Sequence, residues 1–552
     1  MYDCHQRVDY NTPSVVPTEC PGFSEKQPYH RFTDDLPGQP KGHRSSLNNK
    51  NMRTKILLIG LDGGSADVLR QFAAQGHMPF LDGLFAKAPL RALESIPPYA
   101  TPAAWASIYT GVTPADHGVL DFVDPTVPGK HLVNSTSLKA EPFWQRLSAQ
   151  DRRIAMIAFP LTYPPKPING VMVSGLPAPH QGALWSWPPE FDARLKSIPG
   201  FLPDPEMSSP IVNPERSISR LERHIRAVAQ AALAAHKEFG GGGWDVFGVQ
   251  FQALDAFQHM FWAWIDPNDY RFSSRPEHER QRAARFFTTL DEALRQLIEN
   301  LNPQEIVILS DHGFGSAYEA VCPNPLLLQH GLLTLSVSEK HLRRSLQIQR
   351  LLKRLDVFNL RARMKFSAQP RVTTRNLSRL MRDELVDEER SPAYVFSGGY
   401  CGLVKIQPGF EATVRDVLLQ ARHPVSGHNL IKAVLFPTEL WNLPQTSAWR
   451  HYAIIQAEAG FLIDSHFREY GVVAPISAGL SGTHRPTGIL WTTLGTLQGA
   501  KSILDIAPGL LHALNISGST SQRQESDIQE QSFVSPEDQA IIEQRLRQLG
   551  YL

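Results

Sequence analysis

Five short stretches of nearly unbroken apolar residues punctuate this chain: Lys55 to Leu61, Arg153 to Phe159, Gly170 to Ser174, Trp244 to Gln250 and Glu305 to Ser310. Their lengths suit strands, and the lack of an apolar/polar alternation points to strands buried on both faces, as in a parallel sheet covered by helices. The intervening segments have the spacing of helices. Glu215 to Phe239 is the longest of them, with an apolar stripe at helical period. Alternating strand and helix signals predict an α/β fold.

Two regions break the rhythm. Residues 1–51 are rich in Pro, Asn, Ser, His and charge without apolar periodicity, and are expected to be a disordered tail. Between Lys340 and Arg382 the chain turns basic, as in HLRRSLQIQRLLKRL, before strand-like residues resume over Ala393 to Ile406. The reading is a helical and β cap inserted over residues 336–450, between a first core part at 52–335 and a second at 451–515. Residues 516–552 form a polar linker and a last short helix, with Ser535 as N-cap and Pro536 at its first position.

Composition removes several function classes. The 55 basic and 54 acidic residues leave a formal charge of +1, so no overall field favours a nucleic-acid polymer or an anionic membrane surface. No stretch reaches the roughly 20 apolar residues of a membrane span. The N-terminus lacks the apolar run of a secretory signal, and the four cysteines show no CxxC spacing. A cytoplasmic setting without a disulfide framework is the expectation.

Several residues carry chemistry. Asp62 and the pair Asp311-His312 close apolar strands in LLIGLDGG and IVILSDHGFG, at the sheet edge where open α/β folds bind ligands. An Asp before Gly-Gly is equally a turn former. Asp255 and His259 stand four apart, so on a helix they share a face and either grip one ion or make a surface hydrogen bond. Thr101 precedes Pro102, the signature of a helix N-cap with proline at the first position; there a threonine caps the helix or meets a phosphoryl group beside free N–H groups. His484 lies in the turn-rich SGTHRPTG.

Taken in order, LIGLDGG, TPAAWASIYTG followed by HGVLDF, FPLTYPPKPINGVMVSG, DAFQHMFW, SDHGFG and THRPTGILW resemble the type I phosphodiesterase/nucleotide pyrophosphatase family of the alkaline phosphatase superfamily. The resemblance spans roughly residues 55 to 552. It implies an alkaline-phosphatase-like three-layer sandwich with a mostly parallel central sheet, and a metal-dependent phosphohydrolase acting on a small phosphorylated substrate. Thr101, ten residues before Gly111, takes the nucleophile's place. Asp62, Thr101, Asp311 and His312 would surround one divalent ion, and Asp255, His259 and His484 a second.

The implied reaction is in-line attack of Thr101 through a phospho-threonine, across ions about 3.5–4 Å apart. Nitrogen and oxygen donors without thiolate suit Zn²⁺ first and Mn²⁺ next. Two other outcomes are a phosphomonoesterase or phosphomutase of the same superfamily, and a non-catalytic metal-binding protein on the same fold. The sequence departs from eukaryotic relatives at Ala104, where an Asn holding a phosphoryl oxygen is expected; backbone N–H groups after Thr101, or Arg485, are the substitutes. His117 and His180 are read as structural.

Overall fold

The computed structural model describes residues 53–124, 131–206, 213–336, 385–444, 447–467, 471–477, 479–516 and 536–549. The expected tail over 1–51, the basic segment 340–382, Ser535 and nearly all of the linker before it lie outside these.

Eight strands make the central sheet: β1 (Thr54–Leu61), β2 (Arg91–Glu94), β5 (Ile154–Phe159), β6 (Gly170–Ser174), β7 (Ser186–Trp187), β8 (Trp244–Phe251), β9 (Glu305–Leu309) and β18 (Thr487–Thr492). Their spatial order is β2-β18-β9-β1-β8-β5-β6-β7. The middle five, β9-β1-β8-β5-β6, run parallel, while β18 and β7 join antiparallel at the flanks. The five apolar runs of the sequence are these five parallel strands, displaced by a residue at most.

Alternation along β1 shows why the sheet needs cover on both sides. Leu57, Ile59 and Leu61 enter one apolar cluster with the helices Pro214–Phe239 and Glu277–Leu301, whereas Ile56 and Leu58 enter another with the helices Thr101–Thr110 and Ile506–Ala513. Each such side chain, sealed from water, contributes roughly 1.5–3 kcal/mol. The result is the expected three-layer α/β sandwich.

A second sheet surrounds β10 (Gly313–Val321), which pairs β15 (Gly460–Ile463), β16 (Val473–Pro475) and β17 (Gly482–Arg485). The cap contributes a third, β11-β12-β14-β13, from β11 (Ala393–Ser397), β12 (Cys401–Ile406), β13 (Ile431–Leu435) and β14 (Tyr452–Ala457), so its sheet extends past the expected boundary at 450. Leu403 and Ile454 face the core cluster that holds Trp105, and Val404, Ala453 and Ile455 face the cap's own cluster with Val414 and Leu418 of the helix Glu411–Leu419. Packing on both faces makes this β sheet part of one compact unit with the central sheet. A two-residue ribbon, β3 (Val123–Asp124) with β4 (His131–Leu132), completes the strands of the described residues. The last helix runs from Pro536 to Leu549 and buries Ile542 and Leu546 in the core. Among the described residues, no helix is long and apolar enough to cross a membrane.

Candidate metal centre

Three neighbouring parallel strands, β9, β1 and β8, end together. Backbone pairing sets Gly60 opposite both Gln250 and Leu309, so Asp62 follows β1 and Asp311 follows β9 at one level of the sheet. After β8 the chain turns directly into the helix Ala253–Phe261, which carries Asp255 and His259. That helix is fastened from behind: Phe257, on the opposite side from both, stacks on Phe286 with ring centroids 4.1 Å apart. The four residues are 0–5% exposed.

His484 comes from the far sheet. It lies on the strand β17 rather than in the expected turn, paired opposite Phe314 of β10. The short strand GTHR carries no apolar alternation, and only its pairing with β10 makes it extended. Thr101 also differs from expectation. The N-cap is Ala100, whose carbonyl accepts from Ala104 N at 2.9 Å, and Thr101 is the first helical residue. Its side chain makes no capping bond. The hydroxyl is instead 3.4 Å from Asp62 Oδ1 and 3.4 Å from His312 Nε2.

All seven predicted residues therefore converge, but not as two separate triads. Donor atoms of Asp62, Asp311 and His312 lie within 4.8 Å of one another, as do those of Asp255, His312 and His484. His312 belongs to both groups, and its ring stacks on His484 at 3.7 Å. His259 adjoins the second group, with Nε2 3.0 Å from His484 Nε2 and 3.5 Å from Asp255 Oδ2.

Each imidazole is aimed by its other nitrogen. His259 Nδ1 faces Gly482 O at 3.2 Å, His484 Nδ1 faces Tyr99 O at 2.9 Å, and His312 Nδ1 faces Gly313 O at 3.2 Å. A carbonyl accepts only, so Nδ1 carries the hydrogen and Nε2 turns its lone pair inward, as metal-binding histidines do. With this tautomer, His259 Nε2 and His484 Nε2 direct two lone pairs at the same space, a repulsion that a shared cation would convert to coordination. Asp311 Oδ2 is buried without a hydrogen-bond donor.

Electrostatics make the same demand. Burial pushes the Asp62 carboxyl well above the usual carboxylate range, with Asp311 and Asp255 adding to it and donors from Trp105 and Thr101 opposing. Burial likewise raises Asp311, against the Gly63 N–H, and Asp255 adds to the rise. For Asp255 burial also acts upward, but His259 and His484 outweigh it and hold the group at about 2. His312 is driven well below its ordinary value by burial and by His484, and burial lowers His259 to about 4 despite Asp255. Among the described residues, Asp62 and Asp311 make no ion pair with lysine or arginine; the nitrogen beside both is Nε2 of the neutral His312, at 3.7 and 3.2 Å. Three carboxylates and three imidazoles gathered without a balancing side-chain cation fit divalent metal.

The remaining expectations are distinguishable. Arg485 follows His484 on β17 and so faces away from it; Nη1 and Nη2 donate to His484 O at 2.8 Å and Ser316 O at 2.6 Å, and the guanidinium lies over Tyr400 at 5.0 Å. His117 is buried against Ser107 Oγ at 2.9 Å, and His180 pairs with buried Asp204. At the helix end by Thr101, Pro102 has no N–H and Ala104 N is committed, which leaves the amides of Thr101 and Ala103 as backbone donors. Two residues about Asp62 escaped the sequence reading: Trp105 Nε1 donates to Asp62 Oδ2 at 2.7 Å and Gln250 Nε2 to the same oxygen at 3.0 Å. Their signal was present, since Gln250 is a polar residue inside an apolar strand and Trp105 lies one turn after Thr101.

Two solved structures resemble the chain at low identity. Phosphonoacetate hydrolase from Sinorhizobium meliloti 1021, in complex with phosphonoformate, is 13% identical with a TM-score of 0.48, over 84% of this chain and 96% of that one. Human ectonucleotide pyrophosphatase/phosphodiesterase 5 is 12% identical with a TM-score of 0.46, over 86% of this chain and 99% of that one. No curated protein matches by sequence. Residues 56–393, more than half of the chain, match the family described as type I phosphodiesterase / nucleotide pyrophosphatase, and the protein belongs to that family of phosphohydrolases.

Proposed function

We propose that this phosphohydrolase is a two-metal phosphodiesterase whose nucleophile is Thr101. The observation that carries the reading is the hydroxyl of Thr101, unused in capping and 3.4 Å from both Asp62 Oδ1 and His312 Nε2. Asp62, Asp311 and His312 would hold one ion beside that hydroxyl, and Asp255, His259 and His484 the other. When bound, the ions would acidify the hydroxyl and the hydrolytic water and take up charge on the phosphoryl and leaving oxygens. Zinc is the first candidate and manganese the second, because the donors are nitrogen and oxygen only.

The chain's own residues set the order of events. The helix Thr101–Thr110 offers its positive end and the amides of Thr101 and Ala103 to a phosphoryl group. Ala104 supplies no side-chain donor there, so these amides stand in for one. The Thr101 Oγ1–P bond forms as the ester P–O bond breaks; the hydroxyl proton passes to solvent, and the departing oxygen takes a proton from solvent as the alcohol is released. Water then displaces the threonine from phosphorus, giving up a proton as Thr101 recovers one. Arg485 keeps donors beyond its two carbonyl contacts for a distal anionic group of a small phosphorylated substrate. The scattered cysteines, with Cys401 a buried thiol, suit a cytoplasmic setting.

Turnover of bis-p-nitrophenyl phosphate and p-nitrophenyl phosphate, each with Zn²⁺ or Mn²⁺ and again after chelation, tests the proposal. Chelator-sensitive preference for the diester is expected, with Thr101→Ala silent but as rich in metal as the wild type. Monoester preference would make the enzyme a phosphatase. Retention of most activity by Thr101→Ala would remove the covalent step, and an apo protein with no micromolar metal affinity would leave a non-catalytic protein on the same fold.

A further inference from the structure

Asp62 is held from two sides, and both donors meet the same oxygen, Oδ2. Trp105 stands four residues after Thr101 on one helix, so the two side chains lie on one face. Thr101 Oγ1 meets Oδ1 of Asp62 at 3.4 Å, and Trp105 Nε1 donates to Oδ2 at 2.7 Å. A single helix turn thus spans both oxygens of one carboxylate.

Gln250 supplies the second attachment, from the neighbouring strand. Its Nε2 donates to Asp62 Oδ2 at 3.0 Å and to Gln252 Oε1 at 2.9 Å. Both of its hydrogens are spoken for, and rotating the amide would set its oxygen against the Asp62 carboxylate, so that contact determines the orientation. The arrangement has a cost, since Gln250 Oε1 is buried without a hydrogen-bond partner.

The backbone beneath is shaped to admit the pair. Trp105 and Gln250 both lie over Gly60 of β1, where a Cβ would fall 2.5 Å from Trp105 Cη2 and 3.1 Å from Gln250 Cγ. Only glycine lets the indole come close enough to reach the carboxylate.

We infer that Trp105 and Gln250 are positioning residues that saturate Asp62 Oδ2 and so present Oδ1 to the cation beside Thr101. The inference rests on the metal-dependent reading above. Two donors on one oxygen favour the ionised carboxylate and fix its torsion, and they register the ligand against the nucleophile through a shared helix.

The test is calorimetric titration of chelator-stripped protein with Zn²⁺, for the wild type, Trp105→Phe, Gln250→Met and Tyr109→Phe, alongside thermal unfolding of each apo form. Tyr109 is the control. It lies one turn further along the same helix and donates to Pro160 O at 3.0 Å, so its substitution removes a buried donor without touching Asp62. The expected result is an affinity for one ion weakened about 10–100-fold in Trp105→Phe and Gln250→Met, with Tyr109→Phe like the wild type. The two losses should combine to less than their product, since both donors serve one oxygen. Turnover at limiting zinc should fall in step and recover with excess zinc, whereas a loss of packing alone would lower the unfolding midpoint and leave the titration unchanged. Folded variants that bind zinc as the wild type does would overturn the inference. If Trp105→Phe does not fold, Gln250→Met, which keeps nearly the same volume, decides by itself. A wild type that binds no zinc or manganese would overturn the metal-dependent reading and this inference with it.

Discussion

The two halves of the candidate centre are built by different means. On one side, Asp62 and Asp311 extend adjacent parallel strands that share a ladder from Ile56 paired with Glu305 to Gly60 paired with Leu309. On the other, Asp255 and His259 ride a nine-residue helix, and His484 a four-residue strand of a different sheet. The first half takes its geometry from one ladder of peptide hydrogen bonds, and the second from the packing of a helix against a short strand that pairs only with β10. It follows that single side-chain changes far from the ions should disturb the second half more readily than the first.

The largest effects should come from the reacting groups and can break the comparison outright. Thr101→Ala is expected to lower kcat by about 10³-fold or more while both ions are retained. Asp255→Ala and His484→Ala should lower metal content as well as turnover, which plasma emission on dialysed protein would show. Equal metal retention across all three would mean that the second group does not hold an ion.

A packing change sharpens the contrast next. In Gly482→Ala a Cβ would fall 2.4 Å from Gln258 O and 2.8 Å from Trp262 Cβ, pushing β17 away from the helix that bears His259. The strain should cost about 1–3 kcal/mol and weaken binding of one ion, leaving the other as in the wild type. A titration in which both ions weaken equally would show that the halves are not independent.

Acid offers an effect on folding that is separable from the metal site. Burial holds His117 down to about 3 and His224 to about 4, against an ordinary 6.5. Because the folded values lie below the unfolded one, the unfolded chain takes protons first as pH falls. Stability from these neutral rings is whole above pH 6.5 and drains through the interval down to pH 4 and 3. The slope is about 1.4 kcal/mol per pH unit for each ring. Unfolding midpoints of the metal-free protein between pH 7 and 4 should show it, and His117→Gln should flatten the curve. The smallest effect should be at the cap's rim: Val425 is 90% exposed, and Val425→Ser should shift stability by no more than about 0.5 kcal/mol and turnover not at all.

Legibility in the sequence followed the same divide. Parallel strands buried on both faces announce themselves as unbroken apolar runs, so β1, β5, β6, β8 and β9 and the residues at their tips could be read directly. Thr101 was legible in position but not in detail. Pro102 marked the helix start, yet whether Thr101 caps the helix or opens it depends on which carbonyl Ala104 N bonds. The strand β17 left no mark, because GTHR is extended only through its partner Gly313–Ser316. Gln250 showed itself as a polar residue within an apolar strand, but its hydrogen bond to Asp62, 188 residues away, has no periodic trace in the chain.

The ladder across β9, β1 and β8 also bears on how such a chain can change its length. The segments that meet there are separated by nearly two hundred residues between β1 and β8, and by more than fifty between β8 and β9. Ends that are pinned by strand pairing do not feel what is spliced between them. The closure entropy of an inserted loop grows only logarithmically, about 0.6 kcal/mol per doubling. Residues gained or lost between β10 and β17 should leave the spacing of Asp62 and Asp311 unchanged as long as Leu403 and Ile454 still cover the cluster that holds Trp105, so the reacting half can stay fixed while the outer part of the cap is rewritten.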